Sequence, residues 1–165
     1  MKPAGGNFRW LLLSLAALAA DQASKLAMEQ LTPEGYYKPV IPGFLNLVHT
    51  HNPGVAFSLL ADSGSPWVTV LLVVFSLGVI GLVGNILLRG EWGTAPQKAG
   101  LALILGGALG NLIDRLHSEG VLDFADFYLG EYHWPAFNVA DSCIVIGAGM
   151  VIVGILREKP AAEHK

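Results

Sequence analysis

Gly106-Gly107-Ala108-Leu109-Gly110-Asn111-Leu112-Ile113-Asp114-Arg115 closes an apolar run that begins near Gln97, and its reading decides the fold. Asn111, Asp114 and Arg115 stand at i, i+3 and i+4, so on a helix they share one face. The glycines one and two turns earlier let a neighbouring helix approach closely. An apolar helix whose ionisable groups gather at one end reads as a membrane span meeting an interface. Ionisable groups placed there are functional candidates.

Working outward, a bilayer core about 30 Å thick takes about 20 mostly apolar residues in a helix. Four stretches of the 165-residue chain fit, at about 8–28, 66–88, 97–113 and 136–156. Composition agrees: 53% of residues are hydrophobic and 14% charged, where a soluble domain has about 25% charged. The mean hydropathy is +0.52. A net charge of −3 provides no basic footprint, so no nucleic-acid partner is expected. The first stretch, with Lys2 and Arg9 ahead of Trp10-Leu11-Leu12-Leu13, resembles a cleavable secretory signal. Its helical pattern nevertheless continues through Asp21 and Lys25 to Met28 without Pro or Gly, which favours a retained span. The sequence is read as one integral-membrane domain over residues 1–165, with no long internal repeat.

Lys and Arg collect at the N-terminus, in the 89–98 connection and in the tail (Arg157, Lys159, Lys165). Residues 29–65 contain only Lys38, and residues 117–135 contain none. Positive residues mark the cytoplasmic side, so both termini are expected inside and the two Lys/Arg-poor loops outside. In the first of these loops, residues 40–50 carry the β-branched and aromatic content of a strand or two. Asn52-Pro53-Gly54 signals a turn, and the apolar segment Val55–Ala61 suits a short interfacial helix. Gly120–Phe124 in the second loop reads as another strand. The expected fold class is therefore an all-α membrane protein: four transmembrane helices, with a small extramembrane sheet and a short interfacial helix on the outer side.

The polar clusters fall on that same side. Asp21 and Lys25, four apart in the first span, read as an intrahelical pair with a structural role. Asp114 beside Arg115 reads as an ion pair anchoring a helix end, and Asp126 and Glu131 as solvated loop charges. Asn138 and Asp141 share a face at the start of the fourth span. Asp141, about one and a half turns into an apolar helix, has no cation within four residues on its own helix, so it must be protonated or paired. Two carboxylates sharing one proton, about 3 Å apart, supply the acid and base of an aspartyl protease. On physical grounds Asp141 is one member, and Asp114 and Asp123 compete for the other place. Cys143, the single cysteine, reads as a small apolar residue rather than a thiol nucleophile, having no histidine nearby in sequence. The histidines at 49, 51, 117, 133 and 164 show no metal-ligating spacing such as His-Glu-x-x-His. No metal and no cofactor are expected.

Together, Asp21-x-x-Ser24-Lys25, Asn52-x-Gly54-x-Ala56-Phe57-Ser58, Gly106-Gly107-Ala108-x-Gly110-Asn111-x-x-Asp114-Arg115, Val121-x-Asp123-Phe124 and Phe137-Asn138-x-Ala140-Asp141 resemble the lipoprotein signal peptidase (signal peptidase II) family over nearly the whole chain. The resemblance implies an inner-membrane aspartyl endopeptidase. It would cut bacterial prolipoproteins on the amino side of a diacylglyceryl-modified cysteine, among membrane lipid, and be blocked by globomycin-type inhibitors. It makes Asp123 and Asp141 the catalytic dyad. Asn52, Asn111, Arg115 and Asn138 would position substrate or dyad, with Asp21, Lys25 and Asp114 as scaffold. Apart from the resemblance, the apolar Val55–Ala61 segment is expected on physical grounds to close over the substrate and exclude water as a lid does. The rival class is a proton- or ion-coupled carrier, which would carry polar residues through the full membrane depth and internal repeats.

Overall fold

The computed structural model of the chain describes residues 5–54, 66–90, 92–118 and 120–158. Helix α1 (Gly5–Leu31) leads into strands β1 (Tyr37–Ile41) and β2 (Leu45–Asn52), followed by helices α2 (Pro66–Arg89) and α3 (Ala95–His117). Strands β3 (Val121–Leu129) and β4 (Tyr132–His133) then precede helix α4 (Val139–Arg157). All four helices are long and apolar enough to cross a membrane. Large apolar side chains on the bundle's outside, such as Leu71, Phe75, Val145 and Leu156, are exposed in the way lipid-facing residues are.

Helix α3 is the central one and packs against the other three. Its glycines permit this: a Cβ at Gly107 would meet the Ala140 carbonyl of α4, and one at Gly106 would meet the Ser14 carbonyl of α1. Val83, Leu87, Leu101, Ala102 and Leu105 form the apolar core where α2 meets α3, with Trp10, Leu11 and Leu13 of α1 packed on it.

The two connections at one end of the bundle build an antiparallel sheet in the order β1-β2-β3-β4. Pro42 and the left-handed Gly43 (φ 81°) turn β1 into β2, closed by Phe44 N–H donating to the Ile41 carbonyl at 3.0 Å. Pairing of β2 with β3 sets Thr50 opposite Asp123 and Asn52 opposite Val121. Strand β3 is longer than residues 120–124 suggest, because it pairs with β2 on one side and with β4 and Phe137 on the other.

Helix ends differ from the sequence expectation in ways that matter. Helix α3 runs to His117, so Asn111, Asp114 and Arg115 all lie on it. Helix α4 starts at Val139, three residues later than expected, because Phe137 bridges to Ala125 at the sheet edge and Asn138 becomes the N-cap. Asp141 is thus a first-turn residue and not one and a half turns inside. At the opposite end of the bundle a small polar latch interrupts the apolar helices: Gln97 Oε1 accepts from Thr94 N–H at 2.6 Å, and its Nε2 donates to Glu158 at 2.9 Å. The interfacial-helix expectation for Val55–Ala61 falls outside the described residues.

Candidate active site

The floor of the site is a buried charge cluster tying α1 to α3. Lys25 Nζ donates to Asp21 Oδ2 at 2.8 Å and to Asn111 Oδ1 at 3.1 Å, and lies 2.7 Å from Asp114 Oδ2 as an ion contact. Two N–H groups of the ammonium are thus donated, and the Asp114 carboxylate closes the cluster by charge alone. Gln22 adds donors to Asp114 Oδ1 at 3.1 Å and Asp21 Oδ2 at 3.2 Å. Asp21 therefore pairs with Lys25 as the spacing predicts. Asp114 pairs with Lys25 and not with its neighbour Arg115, because it and Asp21 both point inward to the same buried ammonium.

The free oxygen of Asp21 reaches across the bundle and accepts from the Ala140 N–H of α4 at 2.8 Å. Asn138 Oδ1 accepts from Asp141 N–H at 2.9 Å, and Ser142 N–H bonds the Asn138 carbonyl at 3.2 Å. Two side chains from separate helices thus satisfy N–H groups that a helix start leaves unpaired, and Asp141 is fixed in the first turn of α4.

Asparagines join the two candidate aspartates. Asn138, 1% exposed, donates from Nδ2 to Asp123 Oδ1 at 2.8 Å, while its backbone N–H approaches Asp141 Oδ2 at 3.4 Å. Asn111 donates to Asp141 Oδ1 at 2.7 Å, and its own Oδ1 accepts from Lys25 and from Asn138 at 3.3 Å. Asn52, on β2, donates to Asp123 Oδ2 at 3.1 Å, and its Oδ1 holds the turn by accepting from Gly54 N–H at 3.0 Å. Burial, then the nearby charge of Asp141, push the Asp123 carboxyl up to about 7, against the opposing pull of the Asn52 and Asn138 hydrogen bonds and of Lys25.

Asp141 is only half-buried and lies between two apolar cavities. One, of about 380 Å³, is bounded by Phe127, Trp134, Phe137 and the outer face of α4. The other, of about 430 Å³, runs among α2, α3 and α4 and includes Leu72, Phe75, Asn111 and Arg115. Arg115 Nη1 donates to the Asn111 carbonyl at 3.2 Å, and its buried Nε has no hydrogen-bond partner among the described residues.

The structure thus brings Asn52, Asn111, Asp123, Asn138 and Asp141 into one network, with Arg115 lining the adjoining cavity and Asp21, Lys25 and Asp114 beneath. Two features escape the sequence reading. Gln22 belongs to the floor, which its position beside Asp21 could have signalled. Asp126 is not a solvated loop charge: it is buried, accepting from Asn46 Nδ2 at 2.8 Å and facing His133 Nδ1 at 2.9 Å. Glu131 is exposed, as expected. Cys143 is half-buried within α4.

The family model described as signal peptidase (SPase) II matches residues 13–157. The chain belongs to the signal peptidase II family. Among signal peptidase II relatives, the lipoprotein signal peptidase of Aeromonas hydrophila subsp. hydrophila is 46% identical over 155 residues, covering 93% of this chain and 91% of that one. The lipoprotein signal peptidase of Maridesulfovibrio salexigens is 41% identical over 148 residues, covering 90% and 95%. A solved bacterial membrane enzyme, obtained by the in meso method, superposes with a TM-score of 0.81 at 27% identity, covering 95% of this chain and 93% of that chain. Like other members of the signal peptidase II family, this chain is a multi-pass membrane peptidase.

Proposed function

We propose that the chain is an aspartyl endopeptidase that removes signal peptides from bacterial prolipoproteins, cutting on the amino side of a diacylglyceryl-modified cysteine, with Asp123 and Asp141 as its dyad. The observation that carries the catalytic type is Asn138, which contacts both aspartates at once, one through its amide and the other through its backbone. Asp123, with its carboxyl raised to about 7, is assigned the role of acid. Asp141 takes a proton from the attacking water while Asp123 delivers its own to the scissile carbonyl oxygen. Collapse of the tetrahedral intermediate then returns a proton to the leaving amine. Arg115 and Asn52 position the substrate and Asp123 respectively. Asp21, Lys25 and Asp114 act only by holding the framework.

The apolar cavities on either side of Asp141 suit a substrate with a signal helix and lipid chains. A membrane–water boundary is where such chains dissolve while water remains available. The distribution of Lys and Arg supports both termini in the cytoplasm, an inner-membrane location and a site near the periplasmic face. The chain works as one peptidase domain, and globomycin-type inhibitors are expected to occupy the dyad.

The test is cleavage of a diacylglyceryl-modified precursor by Asp123→Asn, Asp141→Asn and Asp114→Asn variants in parallel. Loss of an acid or base costs about 10²–10⁴-fold, so the first two should fall at least that far with membrane insertion intact. Wild-type-like turnover in either would falsify the dyad. Asp114→Asn should lower thermal stability and keep measurable turnover. Abolished turnover at unchanged stability would make Asp114 a reacting group.

A further inference from the structure

A second cluster of ligating side chains lies where the C-terminal half of strand β2 meets the end of helix α1, apart from the two candidate aspartates. Glu29 in the last turn of α1 and His49 and His51 on β2 each offer one ligand atom, all within 4.8 Å of one another. His51 Nε2 is 3.1 Å from Glu29 Oε1, and His49 Nε2 is 3.8 Å from Glu29 Oε2. Strand alternation puts His49 and His51 on one side of β2 and sends Asn52 to the other.

The state of His49 argues for a cation at this place. Its side chain is 3% exposed. Its Nδ1 faces Thr32 Oγ1 at 2.9 Å and the Thr32 carbonyl at 3.2 Å. The single Thr32 hydroxyl proton is already given to the Met28 carbonyl at 2.7 Å, so Oγ1 can only accept from His49. Nδ1 therefore carries the hydrogen, and the lone pair of the neutral ring sits on Nε2. That atom is buried, has no hydrogen-bond partner among the described residues, and is aimed at a carboxylate. A lone pair facing an anion is repulsive unless a cation stands between them.

We propose that Glu29, His49 and His51 bind a divalent transition-metal ion of the zinc type. Two imidazoles and a carboxylate are the borderline ligand set such ions take. Metal–ligand distances of about 2.0–2.2 Å put tetrahedral ligands about 3.3 Å apart, and the two Glu29 contacts, at 3.1 and 3.8 Å, bracket that spacing. Ligating histidines give their second N–H to a carbonyl or carboxylate; for His49 this is in place, its Nδ1 going to Thr32, and His51 Nδ1 has the Glu34 carboxylate nearby at 3.7 Å. The His49 backbone is held at both ends, its N–H donating to the Tyr36 carbonyl at 3.1 Å and its carbonyl accepting from Gly35 N–H at 2.9 Å. The ion would pin β2 to α1, with its ligand His51 next in the chain to the Asn52 that bonds Asp123.

The test uses full-length, tag-free protein in detergent after chelator treatment, titrated with Zn²⁺ by calorimetry and with Co²⁺ by visible absorption. One Zn²⁺ per chain is expected, with Zn²⁺ raising the melting temperature. Affinity should fall at least tenfold in Glu29→Gln, His49→Ala and His51→Ala, and hold in His117→Ala and His133→Ala. If His49→Ala does not fold, the more accessible ligand variant His51→Asn carries the comparison. Zn²⁺ binding that survives the Glu29→Gln/His51→Asn double variant overturns the proposal. So does a wild type that binds no Zn²⁺ but melts higher at pH 5 than at pH 7 in a Glu29-dependent way, since a proton would then be the occupant.

Discussion

Asp123 is the residue where burial and chemistry conflict most directly. Its folded carboxyl is raised to about 7 from 3.8, so the native state holds this proton more tightly than the unfolded chain does. The stabilising effect of that proton is complete below about pH 4 and is lost as pH rises through about 7. Asp123→Asn removes this penalty but turns one acceptor oxygen, met by Asn52 or Asn138, into a donor, at about 1 kcal/mol. The melting temperature of the variant relative to wild type should therefore become more favourable between pH 5 and pH 8. A difference constant with pH would show that Asp123 does not titrate in that range. On the proposed mechanism, peptidase activity should decline above about pH 7, as Asp123 loses its proton. Asn138 has two tasks, capping α4 and bridging the aspartates, and Asn138→Ala removes both. The lost cap costs about 0.5–2 kcal/mol, and kcat should fall well beyond what that instability explains in a cleavage assay. The helical spacing of Asn111 with Asp114 and of Asn138 with Asp141 makes these residues legible from sequence. The partner of Asp114 is not, since Lys25 lies 89 positions away and neighbours in sequence favour Arg115.

Among the elements, α3 organises the bundle and its glycines set how near the others come. Gly107→Ala drives a Cβ into the Ala140 carbonyl at the start of α4, an overpacking that costs about 1–3 kcal/mol. Gly149→Ala, where a Cβ meets nothing within 4 Å, should be neutral or slightly stabilising by helix propensity, up to about 1 kcal/mol. Paired thermal melts of the two variants separate close packing from propensity. The four spans are readable because length and apolarity alone define them. Their ends are less so: Ala136-Phe137 are as apolar as the helix that follows, and only the bridge from Phe137 to Ala125 shows that the chain is still at the sheet edge there. Strand β3 was legible in its first half, where Val121 and Leu122 precede Asp123. Its second half contains Asp126, whose burial depends on Asn46 and His133 from two other strands.

For the whole molecule, the placement of Lys and Arg makes orientation a direct prediction. In a Cys143→Ala background, Glu131→Cys should react with an impermeant maleimide added to intact cells, and Arg157→Cys only after the membrane is opened. The reverse pattern would invert the proposed topology. Asp21 and Ala140 carry a consequence of a different kind. The hydrogen bond between them joins positions 119 apart in the chain, the first span to the last. During synthesis the carboxylate of Asp21 enters the bilayer long before the N–H that completes its shell exists. If the proposed dyad holds, the reacting centre is the last thing the chain assembles: a chain stopped ahead of residue 138 should enter the membrane and cut nothing, because Asp141 and the final helix are missing.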